Sequence, residues 1–258
     1  MSRYYIWSVG CQMNRAFADR LGDDLQRMGY ARTPTVDDAD VIVVNTCVVR
    51  QSAESRVVSK LDSLLSLKRL RPDAMIAVTG CLVDPDGADL SQRFPHVDLF
   101  LKAGDSSGLL EVARSRIPAG ARSVEAGASH PTAYVTVMEG CNNFCTYCIV
   151  PYRRGRERSR LPGEVCAEIE QLVRRGVREV TLLGQNVDSY GRGLPGRMDL
   201  AGLLEAVDSI KGLARVRFLT SHPRDMSDRL ISAVASLARV CECISLPVQA
   251  GDDRKSVV

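Results

Sequence analysis

The sequence predicts an α/β protein: a small doubly wound domain, then a second series of strands and helices reading as part of a (β/α) barrel. Three observations carry this. Short β-branched runs alternate with helical stretches along the whole chain. Helix-to-strand steps in the second half are short, as at Arg174-Arg175-Gly176-Val177. Between the two series, over 118–131, the composition shifts to Pro, Gly, Ala, Ser and charge, which marks a linker. The expected division is a domain over 1–117, the linker, and an incomplete barrel over 132–258.

In chain order, Tyr4 to Val9 reads as a strand ending in the turn Gly10-Cys11-Gln12-Met13-Asn14. A helical pattern runs from Phe17 to Met28 and is closed by Gly29. Asp40 to Asn45 is a short apolar strand. Ser52 to Leu70 is a helix with Val57, Leu61, Leu64, Leu65 and Leu67 on or near one face. Ala74 to Thr79 and Val97 to Leu101 follow as strands, with a helix near Leu109–Arg116. Strands joined by helices in this way imply a parallel sheet covered on both faces, Rossmann- or flavodoxin-like.

The second series gives strands at Tyr134–Met138, Glu179–Leu183, Arg215–Leu219 and Glu242–Leu246. Helices are expected at Gly163–Arg175, Leu200–Ile210 and Ser227–Ala238. Four strands do not close a barrel, so the sheet stays open or the chain is cut short. In either case chemistry belongs at the C-terminal strand ends.

Composition excludes several classes. The 258 residues are 45% hydrophobic, 25% charged and 5% aromatic, proportions of a globular chain and not of a disordered, collagen-like or coiled-coil one. The 34 Lys/Arg against 31 Asp/Glu leave a net charge of only +3, so bulk charge names no partner. The first residues show no charged-then-apolar export signal, and Val41-Ile42-Val43-Val44 is far too short to span a bilayer. A cytoplasmic protein with no membrane association is therefore expected. In that compartment nine cysteines serve as ligands or small core residues and not as a disulfide framework.

Six of the nine cysteines fall into two patterns. Cys141-Asn142-Asn143-Phe144-Cys145-Thr146-Tyr147-Cys148 places three thiols on one loop directly after a predicted strand. Three soft thiolates suit an iron–sulfur cluster with one open iron. Zinc is the alternative, but a structural zinc site takes four protein ligands. Cys11, Cys47 and Cys81 each follow a predicted strand, as Val9-Gly10-Cys11, Asn45-Thr46-Cys47 and Thr79-Gly80-Cys81. In a parallel sheet these ends share one edge, so the three thiols converge as a second triad. Cys166, Cys241 and Cys243 read as buried small hydrophobes.

The Cys-x3-Cys-x-aromatic-Cys loop resembles the radical S-adenosylmethionine superfamily. With the second triad ahead of it, the chain resembles the methylthiotransferase family. Gly10-Cys11-Gln12-Met13-Asn14, Asn45-Thr46-Cys47-Val48-Val49-Arg50 and Pro151-Tyr152-Arg153-Arg154-Gly155-Arg156-Glu157-Arg158-Ser159-Arg160 look most like its tRNA-modifying branch. That resemblance implies two 4Fe-4S clusters, an auxiliary one on Cys11, Cys47 and Cys81 and a radical one on Cys141, Cys145 and Cys148. It also implies S-adenosylmethionine as cofactor, cleaved to a 5′-deoxyadenosyl radical by an electron from an external flavodoxin- or ferredoxin-type donor. The implied reaction replaces the C2 hydrogen of N6-isopentenyladenosine, next to the tRNA anticodon, with a methylthio group. Such hydrogen abstraction lies beyond acid–base chemistry, and no His/Asp or paired-carboxylate set argues for hydrolysis.

Tyr147, Gln185, Asn186, Ser221 and Gln249 lie in the cluster loop or at strand ends and are candidate cofactor contacts, although turn and capping roles suit several of them. Arg153, Arg154, Arg156 and Arg158 are candidate tRNA-backbone contacts, since arginine matches phosphate bidentately. A solvated charged loop is the alternative. Gly191-Arg192-Gly193-Leu194-Pro195-Gly196 mimics a dinucleotide fingerprint but carries proline where a helix should open, so it reads as a loop. Other readings remain open from the sequence. They are a sibling acting on threonylcarbamoyladenosine or a ribosomal protein, a two-cluster electron carrier, and an inactive fragment. Family members continue past Asp253 to complete the barrel and add a small RNA-binding β-barrel, whereas Arg254-Lys255-Ser256-Val257-Val258 does not resemble the helix expected there. A monomer is expected.

Overall fold

The computed structural model describes residues 1–83, 88–117 and 130–251, and the chain divides into two units, Met1–Gly127 and Ala128–Val258. The linker expected at 118–131 lies outside the described residues except for its last two, as does the ending after Gly251.

In the first unit, β1 (Arg3–Ser8), β2 (Ala31–Arg32), β3 (Val41–Thr46), β4 (Met75–Gly80) and β5 (Leu99–Leu101) form one parallel sheet in the order β2-β1-β3-β4-β5. The helices are α1 (Gln12–Arg27), α2 (Gln51–Leu70), α3 (Ala88–Arg93) and α4 (Ser107–Ser115). Every residue of β3 and β4 is buried, as a strand covered on both faces requires. Successive side chains then feed opposite layers. Ile42, Val44, Ile76 and Val78 pack with Val57, Leu61, Leu64 and Leu67 of α2. Val41, Val43, Met75 and Ala77 pack with Phe17, Leu21 and Leu25 of α1 and Leu109 and Ala113 of α4. Two helix layers on one sheet make the domain doubly wound. Ile76 is fully buried, so Ile76→Ala should cost about 2–5 kcal/mol, read as a lowered denaturation midpoint at unchanged slope.

One boundary differs in a way that matters for the site. The residues expected as a turn at 12–14 are already the first turn of α1, which starts directly after Cys11. Cys11 sits at the N-cap without a side-chain capping bond, so no Ser, Thr, Asp or Asn announces the start. At the other end Gly29, at φ +100°, closes the helix, with the Tyr30 N–H returning to the Leu25 carbonyl at 3.0 Å.

In the second unit, β6 (Thr132–Thr136) leads into β7 (Met138–Glu139), which pairs antiparallel with β8 (Arg158–Ser159). The cluster loop and the short α5 (Val150–Arg154) are held between those two strands. α6 (Pro162–Arg174), β9 (Glu179–Leu183), α7 (Leu200–Asp208), β10 (Arg215–Leu219) and α8 (Asp228–Ser236) follow. β10, β9 and β6 form a parallel sheet in that order. Val135, Val180, Leu182, Val216 and Phe218 pack with Val165, Ile169, Leu203, Leu204, Leu230 and Val234 in one core. Asp199 and Ser227 cap α7 and α8 through bonds from the N–H groups of Gly202 and Leu230.

The strand expected at Glu242–Leu246 is absent. Only an isolated parallel bridge, Val216 to Val240, and single bonds such as Ser221 N–H to Ser245 O at 2.9 Å follow β10 there. Cys243 is accordingly exposed and Cys241 and Cys166 half-buried, so the expectation that all three are buried does not hold. Cys166 does pack against the core. Among the described residues no helix is long and apolar enough to cross a membrane.

Candidate functional site

Parallel order places β1, β3 and β4 side by side, so their C-terminal ends, each running into a cysteine, lie on one edge. The approach is close. A Cβ built on Gly10, at φ +121°, would stand 2.5 Å from Cys47 Cβ and 3.0 Å from its Sγ. The Cys81 N–H donates to the Thr46 carbonyl at 3.1 Å, one residue before Cys47. Cys47 and Cys81 are buried, Cys11 is exposed, and none of the nine cysteines is disulfide-bonded.

Three polar residues lace these ends together. Asn14 Nδ2 donates to the Val9 carbonyl at 2.8 Å and the Thr46 carbonyl at 2.9 Å. Asn45 Nδ2 returns to the Asn14 carbonyl at 2.8 Å. Thr46 Oγ1 donates to the Thr79 carbonyl at 2.7 Å and accepts from the Leu82 N–H at 3.1 Å. All but the Asn14–Val9 bond cross between cysteine-bearing segments, so the spacing of the strand ends is held by two buried amides and a hydroxyl. Sequence reading gave these three residues no role. For Asn45 and Thr46 the signal is a polar pair ending an otherwise apolar strand, Val41-Ile42-Val43-Val44-Asn45-Thr46.

In the second unit the loop Cys141–Cys148 follows β7. Gly140, at φ +78°, is pressed so close to the Arg156 carbonyl that a Cβ would sit 2.1 Å from it. The Cys141 N–H donates to Gly155 O at 3.2 Å and the Cys148 N–H to Cys145 O at 2.9 Å. Burial pushes the Cys141 thiol up, the Asn143 N–H on its sulfur opposes this, and the neighbouring Cys148 and Cys145 push it further up. Tyr147 is raised by desolvation and by the same two cysteines, while its hydrogen bond to Gln249 opposes. Its hydroxyl donates to Gln249 Oε1, which joins two of the candidate cofactor residues. Gln185 Oε1 accepts from the Gly140 N–H at 2.6 Å, tying the end of β9 to the cluster loop.

Asn186, Ser221 and their neighbours form a buried polar rim at the ends of β9 and β10. Ser221 Oγ donates to Asp188 Oδ1 and the His222 N–H to Asp188 Oδ2, both at 2.9 Å. Burial pushes the Asp188 carboxyl up against those two bonds. Asn186 Nδ2 donates to Asp225 Oδ2 at 2.7 Å, and Arg192 pairs with Asp225 Oδ1. Glu157, also buried, accepts from Ser189 Oγ at 3.0 Å.

The arginines divide. Arg156 and Arg158 are exposed, and Arg153 and Arg154 half-buried. Arg156 lies 4.5 Å from the centroid of the Phe144 ring. Arg160, counted with them in the basic run, pairs instead with Glu168 at 2.7 Å and donates to the Thr136 carbonyl.

Among the described residues no three His, Cys, Asp or Glu side chains gather round a point that a single ion could occupy. In a cubane each thiolate meets a different iron, so its three sulfurs do not converge on one point. Three laced strand ends, and three thiols carried on the single loop Cys141–Cys148, fit that wider group.

Residues 135–258 match the model of the radical SAM superfamily, and residues 3–102 match that of uncharacterized protein family UPF0004. A UPF0004 domain thus precedes a radical SAM domain in the chain. A tRNA-2-methylthio-N(6)-dimethylallyladenosine synthase of Dehalococcoides mccartyi (strain CBDB1) is 51% identical over 253 residues, 98% of this chain and 59% of the relative. A protein of the same name from Roseiflexus sp. (strain RS-1) is 48% identical, over 97% of this chain and 54% of the relative. The chain thus spans under two thirds of the length of these relatives. Among solved structures, the radical S-adenosylmethionine methyltransferase TsrM of Kitasatospora setae superposes with a TM-score of 0.63 over 95% of this chain and 61% of its own, at 14% identity. That similarity is one of fold.

Proposed function

We propose that the chain acts as a tRNA methylthiotransferase, converting the C2–H of N6-isopentenyladenosine next to the anticodon to C–SCH3. The observation that carries this reading is the convergence of Cys11, Cys47 and Cys81 on one sheet edge, in a chain that also bears the Cys141–Cys148 loop. Two triads match the need for one site that delivers sulfur and another that generates a radical. Its relatives' name supplies the substrate.

In this reading Cys11, Cys47 and Cys81 hold an auxiliary 4Fe-4S cluster, and Cys141, Cys145 and Cys148 hold the radical one. When bound, the clusters and S-adenosylmethionine supply the methylthio group and the hydrogen-abstracting radical chemistry, which acid–base groups cannot. The protein's part is to orient. Asn14, Asn45 and Thr46 fix the auxiliary ligands, while Gln185 and the β7–β8 ribbon fix the cluster loop. Asn186 and Ser221 at the ends of β9 and β10, and Tyr147 of the cluster loop with its partner Gln249, mark where the cofactor would lie, Ser221 acting through Asp188. Arg153, Arg154, Arg156 and Arg158 offer tRNA phosphate contacts. The one-electron donor is a flavodoxin- or ferredoxin-type protein. Thiolate ligands need a reducing compartment, which favours a cytoplasmic setting, and both cysteine triads lying in one chain favour a working monomer.

The test is anaerobic reconstitution followed by iron and sulfide quantification and an assay with isopentenylated tRNA. About eight irons per chain, from four per cubane, are expected. So are 5′-deoxyadenosine and the methylthiolated nucleoside by mass spectrometry. Zinc in place of iron, or an unmodified nucleoside with both clusters loaded, overturns the reading.

A further inference from the structure

The rim beside the cluster loop carries three buried side-chain atoms with no hydrogen-bond partner: Asn143 Nδ2, Asn186 Oδ1 and His222 Nε2. All three residues are more than nine-tenths buried, at 8%, 2% and 7% exposure. An unpaired buried polar atom costs about 1–3 kcal/mol, so three around one turn call for a ligand. They also share a cause.

The turn His222-Pro223-Arg224-Asp225, after β10, touches each of them. Arg224 Nη2 donates to Asn143 Oδ1, and the Arg224 N–H donates to His222 Nδ1 at 3.2 Å. Asp225 Oδ2 accepts from Asn186 Nδ2 at 2.7 Å. These partners leave no choice of orientation. A guanidinium only donates, so Asn143 must turn its carbonyl oxygen to Arg224 and leave its NH2 outward. A carboxylate only accepts, so Asn186 must turn its NH2 to Asp225 and leave its oxygen outward. Burial pushes the Asp225 carboxyl up, but the hydrogen bonds from Asn186 and Arg192 outweigh it and hold the group below the usual carboxylate range. An N–H facing Nδ1 makes that nitrogen the acceptor, so neutral His222 carries its proton on Nε2.

We propose that Arg224 and Asp225 are positioning residues that set the polarity of a three-point recognition site, with donors at Asn143 Nδ2 and His222 Nε2 and an acceptor at Asn186 Oδ1. The complementary ligand carries an anionic or carbonyl oxygen beside an N–H or O–H donor, as the amino-acid and ribose portions of S-adenosylmethionine do. The inference rests on the proposed function and deepens it. Neither residue meets the ligand; each acts through the side chain it turns.

The test is binding of S-adenosylhomocysteine to the anaerobically reconstituted chain by calorimetry. Arg224→Met, of similar length but without a donor, frees the Asn143 amide and should weaken binding about tenfold, the worth of one hydrogen bond. Asp225→Asn, which removes the obligatory acceptor, should do the same through Asn186. The discriminating arm is a double-mutant cycle. In an Asn143→Ala background the Arg224→Met effect should vanish, whereas a general structural role would leave it intact. Iron content and melting curves establish that each variant is folded and loaded, and Asp225→Asn carries the test alone if Arg224→Met does not fold. Binding within twofold of wild type in the folded variants, or a persisting effect in the Asn143→Ala background, overturns this inference alone. Wild-type chain loaded with iron at the Cys141 loop yet unable to bind the probe overturns both it and the proposed function.

Discussion

Gly10→Ala is expected to empty the first unit of iron while leaving its sheet folded. The new methyl group would stand 2.5 Å from Cys47 Cβ, at a backbone φ of +121° that side chains rarely adopt. Either strain at residue 10 or displacement of Cys47 follows, and both disturb the spacing between Cys11 and Cys47. Iron per chain should fall from about eight to about four, with stability lowered by about 1–3 kcal/mol. Gly193→Ala is the control. It too has a positive φ, but nothing lies within 4 Å of its Cβ, so iron content should stay at wild-type level. Equal iron in both variants would mean that the strand-end loops yield and that their lacing does not set the site.

Cys145→Ala and Cys47→Ala should separate the two halves of the reaction. Cys145 lies on the cluster loop, and its loss should drop 5′-deoxyadenosine release to the background of iron-free protein. Cys47→Ala should keep that release, because the cluster loop is built by β7, β8 and Gln185, all in the second unit. The methylthiolated nucleoside should nevertheless disappear in both. Deoxyadenosine and product are counted in the same quenched reaction. If Cys47→Ala still yields the methylthio product, the auxiliary role of the first triad is wrong.

Much of this is legible in the sequence. β3 and β4 announce themselves because Val41-Ile42-Val43-Val44 and Met75-Ile76-Ala77-Val78 are apolar at every position, the mark of strands covered on both faces. The placement of Cys11, Cys47 and Cys81 followed from parallel topology alone. The start of α1 at Gln12 was hidden because Cys11 is an uncommon cap. The segment Glu242–Leu246 falls where the alternating series calls for a strand, but a strand is a pairing and not a position, and β10 offers it little beyond the bridge at Val240. Arg224 and Asp225 were invisible for a related reason. Their partners Asn143 and Asn186 lie 81 and 39 residues away, and no local motif links them.

Phe144, between the first two cysteines of the cluster loop, holds a φ of +49°, in the left-handed region that a phenylalanine backbone disfavours by about 1–2 kcal/mol. Its ring meets Tyr152 edge-on at 5.7 Å and lies beneath Arg156. Contacts of those two kinds are worth about 0.5–1.5 and about 0.5–1 kcal/mol, enough to offset the distortion. The bend that separates Cys141 from Cys145 is thus clasped from α5 and from the residue after Gly155, well outside the cysteine motif. The loop is consequently not portable: grafted into another barrel as eight residues, it would relax and lose its spacing unless Tyr152 and Arg156 travelled with it.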